Sequence, residues 1–197
     1  MGILQALFGD KAPKAIYPVT VQLNAKLMPL DRGRIFQRPL SAALEAAGLG
    51  KSEDAGTQAS REGEIMFCDL EVDLYENTER AYEFVKQTVE SLGAPKGSKL
   101  RISRDDVRPI GISEGLGLYL NGTDLPDEVY ANGDLDFVHD ELGRLLEGEG
   151  QVAGTWRAPN VAAFYMYGGS FVEMQRRIAD FLASYPLCQK CRVVQIA

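Results

Sequence analysis

Asp69, Glu71 and Asp73 alternate along one stretch that runs on to Tyr75, and the residues between them, Cys68, Leu70, Val72 and Leu74, are apolar or nearly so. In a β-strand, residues two apart share a face and lie about 7 Å from each other, so this spacing makes one stripe of three carboxylates ending in a phenol. Acids this close repel one another. They need neighbouring cations, a bound metal ion or a basic partner to offset the repulsion. The plain alternative is a solvated strand face. A strand is an uncommon place to concentrate acids, so the stripe is the first candidate for recognition of ammonium or guanidinium groups.

A second row answers the first, because the chain repeats itself. Val19, Val21, Leu23 and Asn24 return as Leu116, Leu118, Leu120 and Asn121, and Gly48-Leu49-Gly50 returns as Gly148-Glu149-Gly150. Gly56-Thr57 returns as Gly154-Thr155, and Leu74-Tyr75 before Thr78 returns as Met166-Tyr167 before Ser170. The offset drifts from roughly 100 residues to about 92, as expected for a second copy with a shortened loop. Carried across this repeat, the acidic row becomes Val161, Ala163, Tyr165 and Tyr167, with the single tryptophan, Trp156, on the adjacent strand. Tyrosine and tryptophan bury large area with few rotors, which suits anchors at an interface. The competing expectation is that this face packs inside the chain, for instance on the N-terminal segment.

Charge is unevenly spread. From Asp124 to Glu149 there are nine acids against Arg144 alone, a local net charge of −8 in a chain whose total is −7, so the remainder carries about +1. Asp136, Asp140 and Glu141 belong to this segment; they form either a solvated helix face or an electrostatic landing site for a basic partner. The corresponding stretch of the first copy carries Arg32, Arg34 and Arg38, read as a loop that pairs with the acidic segment or binds an anion. His139 is the only histidine, and neither a G-x-S-x-G nor a cysteine-protease signature accompanies it. Cys188-x-x-Cys191 is an isolated pair with Cys68 distant, which makes neither a zinc set nor a thioredoxin-type motif. Gly115-Leu116-Gly117 alternates within a strand and does not open onto a helix, so it is no phosphate loop. No catalytic residue, metal site or cofactor is expected.

The elements that must position these residues follow from periodicity. Each copy reads strand, helix, strand, strand, helix, strand. In the first, Tyr17 to Leu27 alternates, a helix starts near Pro39, and residues 51–63 hold a weak strand near Thr57 and a turn at Gly63. Ile65 to Tyr75 is the clearest strand, Thr78 caps a helix that Gly93 ends, and Ser98 to Ser103 closes the unit. In the second, Leu116 to Leu120 is a strand and Asp134 caps a helix. A hairpin turns at Pro159-Asn160, Ser170 and Glu173 form a capping box, and Cys191 to Ile196 is the last strand. A βαββαβ unit is the ferredoxin-like arrangement. The expected fold is therefore α+β, a tandem duplication of that unit, with antiparallel sheets bearing helices on one face. Its parts are an N-terminal extension at 1–15, a first repeat at 16–104, a polar linker, and a second repeat at 114–197.

Of 197 residues, 45% are hydrophobic and 25% charged, ordinary values for a globular protein, and no apolar run is long enough to span a bilayer. The apolar Ile3, Leu4, Leu7 and Phe8 are too few for a secretory core, and Ala6 stands where myristoylation wants Ser or Thr. Three cysteines make no disulfide framework, which points to the cytoplasm. The net negative charge argues against nucleic acid as partner.

Two functions fit these observations. One is a non-catalytic protein-binding module whose Asp69, Glu71, Asp73, Tyr75, Asp136, Asp140 and Glu141 meet a basic protein while Trp156, Tyr165 and Tyr167 anchor it. In character that is similar to an immunity protein neutralising its toxin. The other is a small-molecule enzyme or sensor using the cleft between the repeats. Neither requires a membrane, and a homodimer is compatible with both.

Overall fold

The computed structural model describes residues 15–53 and 56–197. The apolar residues Ile3, Leu4, Leu7 and Phe8 lie outside them. β1 (Tyr17–Leu23) alternates as its sequence demands, with Val19, Val21 and Leu23 buried and Thr20 and Gln22 on the other face. It pairs with β4 (Ile65–Leu74) on one side and β5 (Ser98–Arg101) on the other, antiparallel in both cases. β2 (Gly50–Glu53) and β3 (Thr57–Ala59) pair with successive stretches of β4, so they form one interrupted edge strand. β6 (Val107–Ile110) extends the opposite edge by pairing with β5. The segment 104–113, read above as a linker, thus contributes a strand. Its single proline, Pro109, sits on the sheet edge, where a missing N–H is tolerated.

The second sheet runs β10 (Arg192–Gln195), β7 (Glu114–Asn121), β9 (Val161–Gly168), β8 (Gly150–Ala158). Setting β6 aside and counting β2 with β3 as one strand, both sheets have the ferredoxin-like order, and every ladder is antiparallel. The chain is α+β and internally duplicated. Gly48 and Gly148 end equivalent helical stretches with φ of 67° and 78°, a conformation that glycine adopts without strain.

Helices cover one face of each sheet. In the first unit α1 (Pro29–Arg32), a π-helical turn (Gly33–Gln37) and α2 (Arg38–Ala46) follow one another without a break, and α3 (Glu79–Ser91) lies beside α2. The helix begins at Pro29, ten residues before the start at Pro39 that the sequence pattern predicts. Pro39 has no N–H to give, and the π turn just before it, closed by the Arg38 N–H on the Gly33 carbonyl, is where the ladder is rearranged. That turn also disrupts the 3.6-residue period by which a helix is recognised. Thr78 caps α3 by accepting from the Ala81 N–H.

In the second unit α4 (Asp127–Asn132), absent from the sequence reading, precedes α5 (Leu135–Leu145). Asp134 caps α5, accepting from the N–H groups of Asp136 and Phe137. Ser170 caps α6 (Phe171–Ser184), but the reciprocal bond of the capping box is not made. Glu173 turns instead to Arg176 and Arg177, and the Ser170 N–H donates to Glu149 Oε1 at 2.8 Å. Leu116, Leu118, Phe164, Met166, Val138, Leu142, Met174 and Ile178 form the second unit's own core. The first unit's core extends beyond itself, joining Val21, Leu70 and Val85 to Tyr119, Ala163, Tyr165 and Tyr167 of the second. Among the described residues no helix is long and apolar enough to cross a membrane.

Candidate functional site

β4 presents Asp69, Glu71 and Asp73 on the sheet face away from the helices, because Cys68, Leu70, Val72 and Leu74 are fully buried beneath α2 and α3. The stripe is real, and its repulsion is met by neighbours on both sides. From β1, Gln22 Nε2 donates to Asp69 Oδ1 at 3.2 Å and Thr20 Oγ1 to Glu71 Oε2 at 3.4 Å. From β2, Lys51 Nζ lies 3.8 Å from Asp73 Oδ2 and pairs with Glu53. Arg101 on β5 donates to Gln22 Oε1 at 2.9 Å, which links a cation to the acids through an amide. Lys99, opposite Gln22 in register, adds another positive charge. The face is a mixed field with acids in the middle and cations at the flanks. Tyr75, just past the strand, is half-buried, with its N–H on the Leu49 carbonyl at 2.8 Å.

The equivalent face of the second sheet is closed. Tyr165 and Tyr167 are 1% and 6% exposed, so they cannot anchor an external partner, and Trp156 is half-buried against the same cluster. Tyr165 and Tyr167, expected to meet another protein, instead meet the first repeat, while Trp156 stays partly exposed at the edge of that contact. The Lys26 N–H donates to the Tyr167 hydroxyl at 2.8 Å. Glu64 Oε1 accepts from Lys26 Nζ at 2.8 Å, from the Tyr119 hydroxyl at 2.7 Å and from the Tyr165 hydroxyl at 2.8 Å. Burial pushes the Glu64 carboxyl upward, but the bonds from Lys26, Tyr119 and Tyr165 outweigh it and hold the group below its ordinary value. Burial first, and then the Glu64 charge, raise Tyr119 to about 12. Gly154 allows the approach, since a Cβ there would lie 2.5 Å from the Lys26 carbonyl oxygen. Lys26, Glu64 and Tyr119, which knit the repeats together, were missed in the sequence because nothing local distinguishes them.

The acidic helix is not brought onto the stripe's surface. Asp136, Asp140 and Glu141 ride on α5, which packs on the helical face of the second sheet. Glu141 takes both its oxygens to Arg144, at 2.6 and 2.8 Å. Asp140 lies 3.2 Å from His139 Nδ1 at the exposed surface. Asp136 borders a cavity of about 390 Å³ with walls from both repeats, Asp31 and Arg34 from the first and Asp136, His139, Thr155 and Arg157 from the second.

The arginine cluster is helical and divided. Arg32 is 1% exposed and donates to the Gly56 carbonyl at 2.9 Å and Thr57 Oγ1 at 2.7 Å, holding α1 to the edge strand. Arg34 turns to the cavity, and Arg38 donates to the Gly33 carbonyl at 3.2 Å. Burial pushes the Cys68 and Cys188 thiols up to about 12, which suits packing and not nucleophilic work. Among the described residues no three His, Cys, Asp or Glu side chains gather as a metal site.

No protein family matches the sequence, and no curated protein matches it. Among solved structures the fold is similar to protein BT0572 from Bacteroides thetaiotaomicron, at 11% identity over 92% of this chain and 93% of that one, with a TM-score of 0.27. It is also similar to the regulatory subunit of aspartate kinase from Thermus flavus, at 8% identity over 84% and 93% of the two chains, TM-score 0.27. The first two RRM domains of yeast poly(U) binding protein match at 10% identity over 91% and 99%, TM-score 0.24. At such scores these likenesses carry nothing about activity. The ferredoxin-like duplication stands on this chain's own strand order.

Proposed function

We propose that the protein is a non-catalytic binding module that engages a basic protein through the uncovered face of its first sheet. One observation carries this reading. Two topologically equivalent sheet faces exist; one is filled by the chain itself, and the other presents Asp69, Glu71 and Asp73 to solvent among the described residues. A partner's Lys or Arg side chains would enter the acidic centre, while Lys51, Lys99 and Arg101 at the flanks would favour acids on the partner's rim. An immunity-type inhibitor of a basic toxin is the specific form we favour. The cytoplasm is the compartment we assign, because Cys68, Cys188 and Cys191 are all free thiols.

The test compares the native chain with D69K/E71K/D73K as bait in the source organism's extract at low salt. A stoichiometric basic protein held by the native chain, released as salt rises and lost by the variant, is expected. Equal capture by a variant with a native circular dichroism spectrum overturns the proposal. A second reading, small-ligand binding between the repeats, is favoured by the cavity beside Asp136.

A further inference from the structure

Two irregularities in otherwise regular elements meet at that cavity. Arg34 belongs to the π-helical turn of the first repeat. Across from it, β8 of the second repeat carries a register shift between Val152 and Gly154, and Val152, Ala153 and Thr155 line the same space. π turns and β-bulges both re-aim side chains, and both concentrate at functional sites.

The charges facing the cavity are balanced and under-used. Arg34 Nη2 reaches Asp31 Oδ1 at 3.5 Å, and Arg157 Nη2 reaches Asp136 Oδ1 at 3.9 Å, one long contact each. On α6, by contrast, Arg176 takes both oxygens of Glu173 at 2.7 and 2.8 Å. The guanidiniums of Arg34 and Arg157 therefore retain donors for a carboxylate fork. Each also has an aspartate alongside that can accept an ammonium. His139 directs Nδ1 to Asp140, which leaves Nε2 for a ligand. Val152, Ala153 and Phe164 make an apolar floor.

From this arrangement we infer that the inter-repeat cleft binds a small zwitterion of the amino-acid type with an apolar side chain. It rests on the small-ligand reading of the cleft and is independent of the sheet-face proposal. A net anion would leave Asp31 and Asp136 opposed, and a net cation would leave Arg34 and Arg157 opposed. A zwitterion meets both pairs. Its carboxylate would take guanidinium N–H donors, its ammonium an aspartate, and its side chain the floor.

The experiment is calorimetric titration and thermal shift of the full chain with the common amino acids, their N-acetyl derivatives, the matching amines and inorganic phosphate. Saturable binding of one or more apolar amino acids, at least about tenfold tighter than the N-acetyl or amine form, is expected. R34Q and R157Q should each weaken it about tenfold or more, and D136N should narrow the gap between the amino acid and its N-acetyl form. These side chains are 60%, 64% and 96% exposed, so the variants keep the fold, which circular dichroism verifies. Preference for N-acetyl forms or phosphate overturns the zwitterion while keeping a ligand site. No binding by any probe overturns both, as does amino-acid binding that R34Q and R157Q leave unchanged.

Discussion

Asp73 and Tyr165 occupy the same place in the two repeats, one residue before the Leu74-Tyr75 and Met166-Tyr167 pairs that align them. Asp73 is partly exposed and sits near Lys51; Tyr165 is 1% exposed and donates its hydroxyl to Glu64 of the other repeat. The same backbone architecture thus carries one face turned to solvent and one turned inward. The difference lies in what covers each face. The segment that follows β1, from Asn24 to Leu27, and Glu64 just before β4 lie against the second sheet. No described segment of the second repeat returns the favour to the first sheet's face.

The contrast is sharpest at the matched pair. Tyr165→Ala should cost about 3–5 kcal/mol in chemical denaturation, from lost aromatic burial and a lost hydrogen bond to a carboxylate. Next in size is Gly154→Ala, expected to cost about 2–3 kcal/mol, because its Cβ would sit 2.5 Å from a backbone oxygen that cannot swing away. A cost near zero would show that the two repeats separate easily.

Glu64→Gln should cost about 1–2 kcal/mol at neutral pH, since the amide replaces a charge that three donors share. The carboxyl is held lower in the folded chain than the ordinary value of about 4.3 in the unfolded one. Its stabilisation is therefore complete above that value and disappears as pH falls through the folded pKa. Denaturation curves of both proteins between pH 7 and pH 3 should show the gap closing at the acid end. A pH-independent gap would mean the junction does not use the charge. The smallest effect belongs to Asp73→Ala, within about 0.5 kcal/mol, because its ion pair is long and open to water. A cost near that of Tyr165→Ala would erase the distinction between the faces.

Much of this architecture was legible. Alternation placed β1 and β4, and Thr78, Asp134 and Ser170 each cap the helix their chemistry announces. The closed face also left a trace in the residues. Gly115 to Leu120 and Ala163 to Tyr167 have no charged residue at any position, the mark of strands buried on both sides, whereas β4 carries acids at 69, 71 and 73. That trace favours inward packing of Tyr165 and Tyr167 over a role as external anchors. The early start of the first helix was hidden because the π turn breaks the period, and β2 because four polar-looking residues on an edge carry little signal.

By itself the sequence determined the duplication, the alternation of the strands, the capping of three helices and the row of acids on β4. These depend on residues near one another in the chain, where dihedral preference and periodic burial act directly. Only the tertiary structure decided which sheet face is filled, that Glu64 joins Lys26 to two tyrosines of the other repeat, and that Arg34 and Arg157 border one cavity. Those contacts join residues 38 to more than 100 positions apart. What selects them is how the two finished units fit together, a matter of shape and desolvation that no local pattern encodes.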